Sequence, residues 1–328
     1  MCVSFVLKGN SRAANGLFLL PLFRHRFSMK GGAVITSSEN QHVMSRKGTA
    51  VKLNSFVLAI FFALIQSVFP QEANSPGAKA QWKLVWSDEF NGPAIDKSVW
   101  NYEIGLIRNK EPQYYTDRAE NSYIENGTLV IETRMENYQG APYTSASLNT
   151  RGKKAFLYGR IEMRAKLPKG NAIWPAFWTM GEEGGWPRCG EIDIMEMWGG
   201  EIEEIWGRKG NNELGDGVTT GCIHYADENG KHVSGGLGKY RLHSGAKCAD
   251  AYHIYAIEWD ADGVKWFFDD VNFKNFKIDT DAKRQGFQQP HFILVNTAIS
   301  PTAKPGPTTD TLPQKYYIDY VRVYERKR

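Results

Sequence analysis

Short runs of alternating apolar and polar residues, separated by Gly, Asn, Asp and Pro, fill the chain from about residue 82 onward. Alternation with a period of two is typical of β-strands that bury one face, and no long stripe with a helical period interrupts it. Asn126 and Gly127, between two such runs, predict a hairpin turn. Many short strands in one unit of about 250 residues predict an all-β fold, either a β-sandwich or a jelly roll. The clearest runs are Tyr123–Glu132, Tyr158–Lys166, Tyr252–Trp259, Val264–Asp269, His291–Asn296 and Tyr316–Tyr324.

The first 80 residues differ in composition from the rest of the chain. They carry nine Lys or Arg and two Glu, a net charge of +7, which leaves −3 for the remainder of a chain whose net charge is +4. All ten Trp lie between Trp82 and Trp266. A mildly acidic domain is a poor match for nucleic acid, which binds to concentrated basic surfaces, so nucleic acid is excluded as a partner. We place the folded domain at residues 82–328.

A short apolar run, Phe56–Phe69, follows a cluster of basic residues. This arrangement is typical of a secretory signal peptide, and the run is too short for a comfortable membrane span. We predict a signal peptide over 44–73 and a linker over 74–81, hence a protein secreted to the extracellular space or the periplasm without stable membrane insertion after processing. An uncleaved N-terminal anchor is the alternative. Residues 1–43 are interpreted as an over-extended start, because a leader that begins at residue 44 has an ordinary length.

The chain has four cysteines, and Cys2 belongs to the N-terminal extension. The other three, Cys189, Cys222 and Cys248, are an odd number without C-x-x-C spacing, so a zinc site is not expected and one disulfide at most can form. Cys222–Cys248 is the favoured pair, and Cys189 is interpreted as a packing residue.

The stretch E-I-D-I-M-E that begins at Glu191 contains the residues with the strongest chemical signal. On a strand, Glu191 and Asp193 share one face, because side chains alternate. Glu196 is five positions from Glu191, so a regular strand would turn it toward the core. One extra residue, a β-bulge at Ile194–Met195, returns Glu196 to the acidic face.

Three carboxylates on one face of a strand repel each other, which raises the pKa of at least one of them. Glycoside hydrolysis needs this arrangement, since one carboxylate must be ionised while another stays protonated. A calcium site and a solvated edge strand are the alternative interpretations. Neither accounts for the apolar residues that alternate with the acids.

Aromatic residues precede the acidic strand. Trp174 and Trp178 share a face in W-P-A-F-W, and Trp186 follows shortly before Glu191. Flat aromatic rings bind the apolar faces of sugars by stacking, whereas core packing is the ordinary role of any single Trp. Three Trp beside the acidic strand therefore favour a sugar-binding cleft.

At these residues the chain resembles glycoside hydrolase family 16, whose mark is E-I-D-I-M-E in its bulged form. The resemblance covers nearly the whole domain, from Trp86–Phe90 to Ile318–Tyr324. Further matching segments are Asn109–Tyr115, Tyr143–Ser147, Tyr158–Glu162, Trp174–Trp178 and Ile223–Tyr225.

The resemblance implies a two-sheet jelly roll with a substrate groove on its concave face and a retaining mechanism that needs no cofactor. Glu191 would be the nucleophile and Glu196 the acid/base, about 5–5.5 Å apart. Asp193 would hydrogen-bond the nucleophile and help to set the ionisation of the pair. The substrate-binding residues that the resemblance implies are Trp174, Trp178, Trp186, Asn109 and His224.

Members of this family often hold a structural calcium ion away from the catalytic groove. The matching positions are Glu89, the carbonyl of Gly127, and Asp319. Oxygen ligands suit calcium. A carboxylate in a surface hydrogen-bond network is the alternative.

The bulged motif resembles that of the laminarinase-like branch, which implies endo cleavage of β-1,3 or mixed β-1,3-1,4 glucosidic bonds in a polysaccharide. We expect the protein to be a monomer. Two segments depart from that pattern: T-A-I-S-P-T at 297–302, and an insert-like run, Glu201–Asn212, expected at the rim of the cleft. The same mechanism on another β-glycan, such as a marine galactan, is therefore an alternative. A sulfated substrate would need cations in the cleft, for which Arg108, Lys110 and Arg118 are candidates. A non-catalytic glucan-binding lectin on the same fold is the third possibility.

Overall fold

The computed structural model describes residues 81–200, 214–302 and 306–327, together with the backbone of 204–205 and 208–209. The expected over-extended start, the signal peptide, nearly all of the linker and most of the insert-like run lie outside the described residues and stay predictions. In the described part of the chain, no helix is long and apolar enough to cross a membrane.

The described strands form two large sheets in which nearly all neighbours are antiparallel; β3 and β6 form a parallel pair. The ten-stranded sheet has the order β18-β17-β16-β9-β20-β5-β6-β3, with β1 beside β20 and β4 beside β5. Its strands are β1 (Trp82–Asp88), β3 (Gln113–Tyr115), β4 (Ser122–Glu125), β5 (Thr128–Tyr138), β6 (Ala141–Ser145), β9 (Gly159–Lys166), β16 (His253–Trp259), β17 (Gly263–Phe268), β18 (Val271–Lys277) and β20 (Gln314–Arg326).

The eight-stranded sheet has the order β15-β14-β11-β10-β19-β7-β2, with β8 beside β19. Its strands are β2 (Asn101–Tyr102), β7 (Ser147–Asn149), β8 (Ala155–Phe156), β10 (Ile173–Gly181), β11 (Glu191–Glu196), β14 (Val218–Ala226), β15 (His232–Arg241) and β19 (His291–Ile299). A small hairpin joins β12 (Glu204–Ile205) to β13 (Arg208–Lys209), and one short helix, α1 (Asp281–Phe287), precedes β19. The prediction of an all-β, two-sheet fold is confirmed.

The main hydrophobic core lies between the two sheets, because alternate residues of each strand point toward the facing sheet. Its buried members include Phe177, Ile192, Ile293 and Val295 from the eight-stranded sheet, and Ile161, Met163, Ile257 and Val321 from the ten-stranded sheet. A second, smaller apolar cluster contains Ala176, Trp178, Phe292 and Leu294. These residues alternate with the core residues of β10 and β19, so they lie on the outer face of the eight-stranded sheet.

The predicted hairpin turn connects β4 to β5. Asn126 and Gly127 have φ values of 53° and 71°, the left-handed conformation that a two-residue hairpin requires.

The favoured disulfide, Cys222–Cys248, is wrong, because the Cys248 thiol is free. Cys248 is buried in the core between the sheets, where burial raises its pKa to about 12. The Cys222 sulfur lies instead within 4.8 Å of Asp193 and His224 side-chain atoms, on the outer face of the eight-stranded sheet. The two side chains therefore point to opposite faces of that sheet. Cys189 is buried and free, as expected of a packing residue.

Candidate active site

The strand β11 carries the three predicted catalytic carboxylates and contains the predicted irregularity. Asp193 and Met195 pair with adjacent residues of β10, so Ile194 between them is the extra residue. The register against β14 shifts over the same stretch. Ile194 and Met195 both pack into the core between the sheets. The predicted bulge is confirmed, and it returns Glu196 to the face that carries Glu191.

Glu191 lies between an indole and an imidazole. Nε1 of Trp186 donates a hydrogen bond of 2.7 Å to Oε2 of Glu191, and Nε2 of His224 lies 3.9 Å from Oε1. Burial raises the pKa of Glu191, and the negative charge of Asp193 raises it further. The His224 cation and the Trp186 hydrogen bond act in the opposite direction, and the resulting pKa is about 7.

Glu196 is more enclosed, with 7% of its surface exposed. Nε1 of Trp174 donates a 2.9 Å hydrogen bond to Oε1 of Glu196. The Trp174 ring stacks on Trp198, with the ring centroids 5.5 Å apart. Burial and then the charge of Asp193 raise the pKa of Glu196 well above the ordinary value of a glutamate. These surroundings therefore favour the protonated form of the Glu196 carboxyl group.

Asp193 lies between the two glutamates in sequence and beside His224 in space. Oδ2 of Asp193 is 3.1 Å from Nε2 of His224. Burial lowers the pKa of His224, but the contact with Asp193 and the charges of the three carboxylates outweigh burial and raise it to about 9. His224 is therefore a cation at neutral pH, and its charge balances part of the negative charge of the acidic strand.

Trp178 pairs with Asp193 and lies on the outer face of the eight-stranded sheet, the face on which the groove was expected and which we call the groove face. Trp178 is only 8% exposed. Its Nε1 donates to Oδ1 of Asn296 at 2.8 Å. The guanidinium carbon of Arg108 lies 5.0 Å from the centroid of the Trp178 ring, while Nη1 of the same arginine bonds Glu103 at 2.9 Å. Arg108 thus covers part of the ring that a sugar was expected to contact.

Asn109 is exposed and lies on the turn before β3. Its Nδ2 donates to Oε1 of Glu111 at 3.1 Å, while the hydroxyl of Tyr115 donates to Oε2 of Glu111 at 3.2 Å. Nδ2 of Asn296 donates in turn to that hydroxyl at 3.0 Å. A chain of polar contacts therefore joins Asn109 to the groove face.

Sequence reasoning missed three residues of the site, namely Trp198, Asn296 and His232. Trp198 follows Glu196 by two positions, so strict alternation could have placed it on the same face. Asn296 is a polar residue within a largely apolar strand, which is a second usable signal. His232 gave no local signal, because only the pairing of β14 with β15 brings it beside His224.

Two of the three expected calcium ligands, Glu89 and Asp319, form ion pairs with arginine side chains. Both carboxylate oxygens of Glu89 accept hydrogen bonds of 2.9 Å from Arg322, and Asp319 pairs with Arg164 at 2.6 Å. Gly127 lies on the hairpin turn that joins β4 to β5. Two guanidinium groups beside the carboxylates do not fit a bound cation, which would have to displace both pairs. The calcium ion stays a prediction.

The chain matches the family described as "Beta-porphyranase A-D, GH16 domain" over residues 82–326. It is 36% identical over 260 residues to a beta-glucanase of Rhodothermus marinus, with 74% of this chain and 85% of that protein covered. It is 31% identical over 281 residues to glucan endo-1,3-beta-glucosidase A1 of Niallia circulans, with 76% of this chain covered and only 39% of that longer protein.

Among solved structures, the laminarinase catalytic domain of Thermotoga maritima is similar, with 39% identity and a TM-score of 0.61 over 76% of this chain and all of that domain. This likeness confirms the predicted jelly roll. On these matches, and on the bulged acidic strand that the structure contains, the chain belongs to glycoside hydrolase family 16.

Proposed function

We propose that the chain is a retaining endo-glycosidase that cleaves internal β-1,3 or mixed β-1,3-1,4 glucosidic bonds of a β-glucan. The observation that carries this proposal is the bulge at Ile194, which brings Glu191 and Glu196 to one face of β11 in unequal surroundings. Retaining hydrolysis needs two carboxyl groups of this kind, one ionised and one protonated.

Glu191 is the better nucleophile of the pair. A hydrogen bond from Trp186 and the nearby His224 cation both stabilise its ionised form. Glu196 is the better acid, because its deeper burial and the charge of Asp193 both raise its pKa and so favour its protonated form.

In the first step, Glu191 attacks the anomeric carbon while Glu196 transfers its proton to the glycosidic oxygen, and the bond between carbon and leaving group breaks. In the second step, the Glu196 carboxylate accepts a proton from water, the water oxygen attacks the anomeric carbon, and the ester to Glu191 breaks. Two inversions give net retention, and both glutamates return to their starting forms.

The aromatic residues provide the surface on which the sugar is held. The indole nitrogens of Trp174, Trp178 and Trp186 all donate to polar side chains of the site. Trp186 is 50% exposed and therefore offers an open ring for stacking, whereas Trp178 is only 8% exposed. We assign Trp186 the main stacking role and Trp174 a role in holding Glu196. Asn109 and His224 complete the proposed set of substrate-binding residues.

The choice of a glucan follows from the three relatives described above, which are named as a glucan endo-1,3-beta-glucosidase, a beta-glucanase and a laminarinase. A galactan is the alternative, because the matched family description names a porphyranase. Two candidate cations for a sulfated substrate are already paired with acids, Arg108 with Glu103 and Arg118 with Glu136. This pairing favours a neutral glucan. Both glutamates are present, which disfavours a lectin without activity.

β-Glucan polysaccharides are met outside the cell, so secretion remains part of the proposal. We also keep the expectation that the enzyme is a monomer.

Release of reducing ends from laminarin, lichenan, agarose, carrageenan and porphyran tests the substrate, with the Glu191→Gln variant as the inactive control. We expect release from laminarin or lichenan, with long oligosaccharides appearing first. Release from only the galactans would contradict the proposed substrate, and binding without release from any of the five would favour a lectin.

A further inference from the structure

His232 lies on β15, next to the residues that contact Glu191. Its Nε2 is 2.8 Å from Nδ1 of His224, and the two imidazole rings are nearly parallel, with an interplanar angle of 13° and centroids 5.0 Å apart, so they meet edge to edge. On its other side, the His232 ring lies 4.6 Å from the ring of Trp186. Trp186 and His224 are the two groups that stabilise the ionised form of Glu191.

The short contact between the two imidazoles fixes the position of a proton. His224 lies beside the carboxylates of Asp193 and Glu191 and is a cation at neutral pH, so both of its ring nitrogens carry hydrogen. Its Nδ1 must therefore donate to Nε2 of His232. Only a neutral His232 with its own hydrogen on Nδ1 can accept that bond.

We propose that His232 is a positioning residue for the nucleophile, which accepts the Nδ1 proton of His224 through its neutral ring and supports the indole of Trp186. Both contacts end at Glu191, one through His224 and the other through the Trp186 hydrogen bond. The inference rests on the proposed function, because it takes Glu191 as the nucleophile.

The arrangement makes the site sensitive to acid. A proton on Nε2 of His232 would set two N–H groups of two cations against each other at 2.8 Å, so the hydrogen bond must break. Burial and the positive charge of His224 lower the pKa of His232, so His232 is protonated only at a lower pH than an ordinary histidine. Among the charged groups near the turn between β14 and β15, Asp227 bonds the backbone N–H groups of Asn229 and Lys231. Arg188, from the segment before β11, packs against Gly230 of the same turn.

Three variants separate the two contacts. In His232→Phe a ring remains next to Trp186, but the nitrogen that accepts the hydrogen bond from His224 is lost. Because that bond involves a charged group, kcat should fall about tenfold or more, while KM should change less. In His232→Gln an amide oxygen can accept from His224, and kcat at pH 7 should stay within about threefold of wild type. His243→Gln, at an exposed histidine that is not among the site residues described above, is the control and should behave as wild type.

The pH profile gives a readout that a purely structural role would not change. In the wild type, two protonations, of Glu191 and of His232, should steepen the acidic limb of log kcat/KM toward a slope of about two. The His232→Gln variant should show a slope of about one, because its amide does not titrate. Equal slopes in the two proteins, or an unchanged kcat in a folded His232→Phe variant, would overturn the proposal.

Nitrogen-15 NMR of histidine-labelled protein tests the proton position without any substrate. We expect a doubly protonated His224 and a neutral His232 whose Nε2 is unprotonated at pH 7. Hydrogen on Nε2 of His232 would overturn the inference. If the wild type hydrolyses no polysaccharide but the expected tautomer is found, the proposed function fails while the positioning contact stands.

Discussion

Nε1 of Trp266 lies 2.8 Å from the carbonyl oxygen of Asp193 and donates a hydrogen bond to it across the core. Trp266 belongs to the ten-stranded sheet, and Asp193 immediately precedes the bulged residue of the facing sheet. Gly221, on β14, makes room for the indole, because a Cβ atom there would lie 2.4 Å from Nε1. A bulge leaves ladder groups unpaired, and the indole satisfies one of them. A core residue, Trp266, thus stabilises the β-bulge on which the active site depends.

Replacing Trp266 with Phe should therefore lower kcat by more than the loss of folding stability accounts for. We expect a loss of about 1–3 kcal/mol in the free energy of unfolding, from the missing hydrogen bond and imperfect packing. We also expect kcat to fall about tenfold or more, because a small displacement of a catalytic group is costly. Trp259→Phe is the matched control, since Trp259 is equally buried and donates to the carbonyl of Phe287 at 3.1 Å. Equal kcat values for the two folded variants would argue against a role for Trp266 in holding the bulge.

Removing the charge of Asp193 should move the whole pH profile. Its negative charge raises the pKa of both Glu191 and Glu196, so Asp193→Asn should lower both. Activity is lost at low pH when the nucleophile is protonated and at high pH when the acid is ionised. Both limbs of kcat/KM should therefore shift to lower pH, by about one unit. Asp310→Asn, at an exposed position, is the control. A profile that keeps its position in Asp193→Asn would show that this charge does not set the ionisation of the pair.

The two indole hydrogen bonds should act on opposite limbs of the same profile. Trp186 lowers the pKa of Glu191 and Trp174 lowers that of Glu196. Trp186→Phe should thus move the acidic limb to higher pH, and Trp174→Phe should move the alkaline limb to higher pH. Each variant serves as the control for the other, and both can be measured with a short soluble oligosaccharide. If Trp174→Phe moved the acidic limb instead, the assignment of the two carboxyl groups would be reversed.

The buried acid should cost stability at neutral pH. A carboxyl group whose pKa is raised by folding binds its proton more tightly in the folded state, so its unfavourable effect is absent below the unfolded pKa. That effect grows as the pH rises toward the folded pKa. Glu196→Gln removes the ionisable group, so we expect its Tm to exceed that of wild type by about 2 °C or more at pH 8 and to differ less at pH 4. Glu228→Gln, at an exposed position, should show no such dependence. A Tm difference for Glu196→Gln that is the same at both pH values would contradict the raised pKa.

Much of the fold and the central chemistry could be predicted because they depend on local patterns. Period-two alternation predicts strands. The five-residue spacing between Glu191 and Glu196 does not fit that alternation, and it predicts the bulge that β11 contains. The hairpin at Asn126 and Gly127 follows from residue types that favour a left-handed backbone.

What could not be predicted depends on pairing between distant strands. Cys222 and Cys248 have a suitable number of residues between them, but spacing does not reveal that their side chains lie on opposite faces of a sheet. Arg108 covers Trp178 although 70 positions separate them in sequence, and the register between β14 and β15 brings His232 to His224. These contacts decide how open the groove is and which groups hold the nucleophile.

The central claim, that the bulge gives Glu191 the role of nucleophile and Glu196 that of acid/base, is tested most directly by azide rescue of small-residue variants. The substrate is an activated aryl β-glycoside of a β-1,3-linked glucose disaccharide, and NMR identifies the anomer of the glycosyl azide formed. We expect the α-azide from Glu191→Gly, by a single displacement, and the β-azide from Glu196→Gly, by attack on the glycosyl-enzyme. The reverse pattern of anomers, or no azide product from either variant, would contradict the account.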